Sequence, residues 1–234
     1  YQRRVRGECG QCPVCYHDVN ACLQRGRSGE PEKRVEIDHE VLDKVLKKFQ
    51  VGITVQQALD AEDGQIINGC LILKEEYYQY EAFKERRDFR SVVALRLRCV
   101  DSLFGYAENL ENAIMPQAIA VLQGSFAHTG LQNCYFPKLG LIGGFAFQEC
   151  QIKELNSQSF PALESIGVQG FAWCPITSVH LPSLISVDDG GFKSCKSLKQ
   201  FSAFKFQEIG ENCFFKCPLL VSIDCDLEPE KFIC

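Results

Sequence analysis

The chain has 234 residues, 46% of them hydrophobic and 24% charged, which is enough apolar material to fill a core and too much for a disordered chain. Its net charge of −5 excludes wholesale electrostatic binding to nucleic acid or to an anionic membrane. No run of about 18 apolar residues occurs, so no membrane-spanning helix is expected, and the basic N-terminus leads into cysteines where a secretory signal would place an apolar stretch.

Because the chain opens on Tyr1 and not Met, it reads as a processed or trimmed product. Residues 1–24 carry Cys9, Cys12, Cys15 and Cys22, with His17 among them. Two overlapping C-x-x-C steps bring thiolates to where one metal ion collects them, and a segment this short needs such a staple to be ordered. Zinc is the favoured occupant of this cysteine knuckle; disulfides and an iron–sulfur cluster are the alternatives. RRVRGECGQCPVC resembles the opening of CXXC-type zinc fingers, and CPVC resembles the start of RING modules. The second C-x-x-C pair that either module needs is missing after Cys22, so neither DNA binding nor ubiquitin ligation carries over. Residues 25–33, RGRSGEPEK, read as a polar linker.

Residues 34–63 place Val41, Leu42, Val45, Leu46 and Phe49 at helical spacing behind Asp38 as N-cap. Glu40 with Lys44 and Asp43 with Lys47 make favourable i,i+4 pairs on the outer face, and Val55, Ala58 and Leu59 suggest a second short helix. The expected role of this segment is an N-terminal helical cap over the open end of a repeat domain.

Residues 64–234 supply that domain, for they are periodic. Phenylalanine recurs at Phe83, Phe104, Phe126, Phe147, Phe171, Phe192 and Phe214, at spacings of 21, 22, 21, 24, 21 and 22 residues. Three residues beyond the last five stand Thr129, Cys150, Cys174, Cys195 and Cys217, and ten residues before four of them stand Pro116, Pro137, Pro161 and Pro182. One unit reads F-x-x-C-x-x-L-x-x-L-x-L-P-x-L-x-x-I-G. It is too small to bury its own apolar face, so neighbouring units must stack. The L-x-L-P segment alternates as a short strand does, ended by a proline that lacks an N–H. The phenylalanines then form an interior aromatic spine, and Gly143, Gly167 and Gly210 mark a turn that a side chain would obstruct.

The unit resembles the BspA-like class of leucine-rich repeats over roughly residues 71–234, about seven units. The likeness is closest in GFAFQEC, GFAWC and GGFKSC, and least in FKERRDFRSVVAL. The resemblance implies an α/β repeat fold: a leucine-rich-repeat solenoid with a parallel sheet on its concave face and short convex turns, preceded by the helical cap and the small cysteine knuckle. It also implies that the F-x-x-C cysteines are buried thiols, not disulfides.

No nucleophile or phosphate-binding motif appears, and the four histidines, at 17, 39, 128 and 180, fall on different segments, so a non-enzymatic protein is expected. Two surfaces are candidates for binding. The concave stripe would carry Ser91, Asn112, Asn133, Tyr135, Glu154, Asn156, Ser178, His180, Gln200, Ser202, Ser222 and Asp224, polar and nearly uncharged. The basic group Arg86, Arg87, Arg90, Arg96 and Arg98 suits an acidic partner. The expected function is protein–protein interaction as a subunit of a larger assembly, in an intracellular or organellar setting. One alternative is a cell-surface adhesin. Another is a metal-dependent nucleic-acid regulator using Arg3, Arg4 and Arg6.

Overall fold

The computed structural model describes residues 37–227. The cysteine knuckle and linker expected at residues 1–33 lie outside the described residues.

Helix α1 (His39–Lys48) starts where Asp38 takes the Glu40 and Val41 N–H groups on one carboxylate oxygen, at 3.0 Å each. The Lys44–Glu40 and Lys47–Asp43 pairs form at 2.6 Å, on an exposed face where each contributes about 0.3–0.5 kcal/mol. Helix α2 (Val55–Asp60) opens on a capping box: the Thr54 hydroxyl takes the Gln57 N–H while the Gln57 side chain takes the Thr54 N–H.

The rest of the chain winds into a solenoid whose coils each contribute one longer and one short strand. The longer strands are β2 (Cys70–Leu73), β3 (Ser91–Ala94), β5 (Asn112–Ile114), β7 (Asn133–Tyr135), β9 (Glu154–Asn156), β11 (Ser178–His180), β13 (Gln200–Ala203) and β15 (Ser222–Cys225). The two-residue strands are β4 (Cys99–Val100), β6 (Ala120–Val121), β8 (Leu141–Ile142), β10 (Ser165–Ile166), β12 (Ser186–Val187) and β14 (Glu208–Ile209), all paired in parallel in one sheet. Pairing steps by one repeat at a time, as in Val179 opposite Leu155 and Phe201. Before them, β1 (Ile66–Ile67) pairs antiparallel to β2 and so closes the first edge of the long-strand sheet.

The third side of each coil is the F-x-x-C turn. The seven phenylalanines stack face to face along the axis, with centroids 5.1–6.0 Å apart and planes 5–15° from parallel. Phe136 and Phe160 meet this spine edge-on. In every coil the residue two after the phenylalanine holds a left-handed backbone, φ 57–61° from Glu85 to Lys216. So does the residue two before it, φ 50–64°. Glu85, Tyr106, His128, Glu149, Trp173 and Ser194 use that conformation to donate their N–H to a carbonyl of the next coil.

The thiols of Cys150, Cys174, Cys195 and Cys217 donate to the phenylalanine carbonyl of the preceding coil at 3.0–3.2 Å. Cys150, Cys174 and Cys195 are unbridged and buried. Burial pushes the Cys150 thiol up to about 12 and raises those of Cys134, Cys174 and Cys195 as well. An unfolded thiol ionises near about 8.5, so above that pH the unfolded chain sheds protons that the folded chain keeps, and stability falls. The contribution is complete below about 8.5 and for Cys150 is lost up to about 12. Denaturation midpoints taken between pH 8 and 10 should fall with pH, and Cys150→Ala should flatten the slope by up to about 1.4 kcal/mol per pH unit. Identical slopes in the two proteins would refute this assignment.

The glycines expected at a turn have a different reason for being there. Gly143, Gly167 and Gly210 are outside the positive-φ region, and a Cβ on them would stand 3.1, 2.8 and 2.3 Å from backbone atoms of the preceding coil. Close approach of coil to coil, not turn geometry, excludes the side chain there.

The helices are placed differently from an end cap. Leu42, Leu46, Val51, Ile53, Ala58 and Ala61 pack with Cys70, Ile72, Val93, Leu95 and Ile114. Those five are the residues of β2, β3 and β5, and of the end of β3, that point away from the phenylalanine core. The helices therefore cover the face of the first three long strands, and β1 closes the edge.

Candidate interaction face

The coverage by α1 and α2 divides the long-strand face in two. In the first half Ser91 and Asn112 are buried, at 4% and 6% exposure. They form a ladder in which the Asn112 amide donates to Ser91 Oγ at 3.0 Å and the Asn133 amide donates to Asn112 Oδ1 at 2.8 Å. Asn112, expected to meet a partner, is thus inside the protein, because the helices seal the apolar residues around it. Tyr135 is half-buried against the same cluster, and the Asp38 carboxylate adds to the burial that raises its phenol.

Beyond β7 the face is open. Glu154, His180, Gln200, Ser222 and Asp224 are exposed, with Asn156, Ser178 and Ser202 partly so. The register sets them in rows, Glu154–Ser178–Gln200–Ser222 and Asn156–His180–Ser202–Asp224. Phe204, 49% exposed, meets the His180 ring edge-on at 6.1 Å just past the second row. Sequence reasoning misses Phe204 because it stands where other units have proline.

The arginines do not act as one patch. The Arg86 guanidinium is bidentate to Asp88 at 3.0 and 2.6 Å and lies over Phe83 and Phe89 at 5.7 and 5.3 Å. Its hydrogen bonds hold the Asp88 carboxyl below the ordinary range. Arg87 pairs with Glu108 of the next coil at 2.9 Å. Arg90 and Arg96 are exposed at opposite ends of β3, and Arg98 is partly buried.

Between the two halves the sheet is interrupted. Neighbouring long strands pair throughout except β7 and β9, which belong to separate sheets. There a cleft of about 330 Å³ opens, lined by Lys48 and Phe49 at the end of α1, by Cys134 of β7 and Glu154 of β9, and by Ile152, Lys153 and Phe160 beside β9. A longer loop follows β9 and borders the cleft. The unit from Phe147 to Phe171 is longer by the turn Asn156–Ser159, in which the Asn156 carboxamide oxygen takes the N–H groups of Gln158 and Ser159. Lys48 Nζ reaches Gln158 Oε1 of this turn at 3.4 Å.

Cys9, Cys12, Cys15, Cys22 and His17, the residues expected to hold a metal, lie outside the described residues. Among the described residues no cluster of three or more His, Cys, Asp or Glu is placed to hold a metal ion, and no helix is long and apolar enough to cross a membrane.

No curated protein matches the chain. Among solved structures, a leucine-rich repeat protein from Bacteroides ovatus is 24% identical with a TM-score of 0.57, over 66% of this chain and 41% of that one. The chain therefore spans less than half of that protein, and the likeness is one of fold. A leucine rich cell surface protein from Faecalibacterium prausnitzii is 19% identical over 58% of this chain and 59% of that one, with a TM-score of 0.24. Residues 119–231 match the BspA type leucine rich repeat region in six copies, and the same phenylalanine spine continues upstream of them to Phe83. Residues 119–231, just under half of the chain, thus carry BspA-type leucine-rich repeats, and the fold they build is a leucine-rich-repeat solenoid.

Proposed function

We propose that the chain is a non-enzymatic subunit that binds another protein through the uncovered half of its long-strand face, from β9 to β15. The observation that carries this reading is the change of chemistry along the long-strand face. Where the outward residues are apolar, Cys70, Ile72, Val93 and Ile114, the protein covers them with its own helices. Where they are polar, from Glu154 to Asp224, they stand in registered rows open to a partner. Such rows offer many hydrogen bonds from a rigid scaffold whose curvature suits an extended partner, and His180 beside Phe204 supplies the aromatic contact that anchors interfaces.

The test is purification of the full chain after cross-linking, beside a His180→Glu, Ser202→Arg double variant. These exposed or half-exposed sites should leave stability within about 0.5 kcal/mol while the recovered partner falls at least tenfold. Recovery of the same partners in the same amounts by both proteins would overturn the assignment of this face.

A further inference from the structure

We infer that the cleft between β7 and β9 is a receptor for the C-terminal end of a partner polypeptide, with the terminal carboxylate held by backbone N–H groups and by Lys48 and Lys153. The inference rests on the reading of the chain as a protein-interaction module and names a second point of contact in it.

The interruption leaves backbone groups facing one another without a ladder. Asn133 donates its N–H toward β5, to the Glu111 carbonyl at 3.1 Å, and the Tyr135 carbonyl accepts from Met115 at 3.0 Å. Alternation then turns the N–H and carbonyl of Cys134 toward β9. On β9 the Lys153 carbonyl accepts from Thr177 at 2.8 Å on the β11 side, which turns the N–H and carbonyl of Glu154 toward β7. In each of the other long-strand junctions these groups pair; here β7 and β9 do not. Cys134 is buried, and a peptide group so placed demands a partner.

The gap is bounded at both ends. Gln151 N–H meets the Leu131 carbonyl at 2.9 Å, and Phe136 N–H meets the Ser159 carbonyl at 3.1 Å. It is an eye in the sheet, so a strand cannot run through it; a chain end can enter from the open face. Charge selects which end. Lys48 is exposed and its polar contact is the neutral Gln158 amide, and Lys153 is exposed on the opposite wall. Neither has a carboxylate partner among the described residues, and they outnumber the single acid of the lining, Glu154. Two ammonium groups and inward N–H donors suit a carboxylate. The carbonyls of Cys134 and Glu154 suit the amide N–H beside it, and Phe49, Ile152 and Phe160 make the wall for an apolar last side chain.

The probe is a pool of hexapeptides ending in Leu, Ile, Val or Phe, made as free acids and again as C-terminal amides, titrated against the full chain. Free acids should bind at least tenfold tighter than amides and slow hydrogen exchange at the Cys134 and Glu154 amides. Lys48→Glu should weaken them at least tenfold, and Lys44→Glu, on the same helix, less than twofold. Equal binding of acids and amides, or exchange at Cys134 and Glu154 unchanged by saturating peptide, would overturn the inference. So would protection of those amides in the peptide-free chain that disappears on deleting residues 1–36, since the protein's own N-terminal segment would then be the occupant. Loss of partner in the His180→Glu, Ser202→Arg variant without any free-acid binding would leave the proposed function standing and remove the eye alone.

Discussion

Phe171→Ala should lower the unfolding free energy by about 3–5 kcal/mol, while Ser178→Ala, seven residues along, should change it by less than about 0.5 kcal/mol. Phe171 is fully buried. Its ring is stacked on Phe147 at 5.1 Å and Phe192 at 6.0 Å, and it takes the edge of Phe160 at 6.4 Å. Removing the ring takes contacts from three others at once, and the coils on either side, fixed by backbone hydrogen bonds at the turn, cannot close the void. Ser178 points to the opposite face of its sheet, where water replaces what the hydroxyl loses. Denaturant midpoints measure both. Similar losses at the two sites would mean that the assignment of inward and outward positions is wrong by one residue, since such a slip exchanges the faces of a strand.

Gly167→Val should cost at least about 2–3 kcal/mol, a large effect for a residue with an ordinary backbone. A Cβ there would sit 2.8 Å from Gly143 C and 2.9 Å from Gly144 N. Those are backbone atoms that no rotamer change can move. The coils must separate or tilt, and the phenylalanine stack beside them would open. By contrast, a valine at Gly64, where nothing lies within 4 Å but φ is +76°, meets only conformational strain of about 1–2 kcal/mol. If thermal melts rank the two substitutions the other way, crowding between coils is not what selects glycine at position 167.

The spine was readable in the sequence because each phenylalanine obeys two constraints at once, its distance from the previous one and its distance from the thiol or proline of its own unit. A position constrained twice survives variation elsewhere, which is why the weakly matching FKERRDFRSVVAL still delivers Phe83 to the stack. The placement of the helices was less readable, although a signal existed. The strands CLIL and SVVA are apolar on both faces, and an unbroken apolar run means a strand covered on both sides. The alternation of later units hid this. The interruption between β7 and β9 has no signal in the spacing, since Cys134 to Leu155 is an ordinary 21 residues and the extra residues of the 24-residue unit follow β9. For the arginines, clustering in the sequence misled because the solenoid sends successive residues to different walls, and an ion pair with Asp88 or Glu108 is a matter of the fold.

The left-handed residues that flank every phenylalanine bear on how such a protein comes to be assembled. Twelve of them are not glycine, and each would gain about 1–2 kcal/mol by relaxing. What holds eight of them is a donation to a carbonyl on the following coil, so a coil released from its neighbour has no reason to keep its shape. Order in this protein must therefore spread by templating, each formed coil offering the mould on which the next is cast. The same dependence runs backwards. A coil that loses the neighbour after it loses the carbonyls that held its left-handed residues, and is the next to loosen.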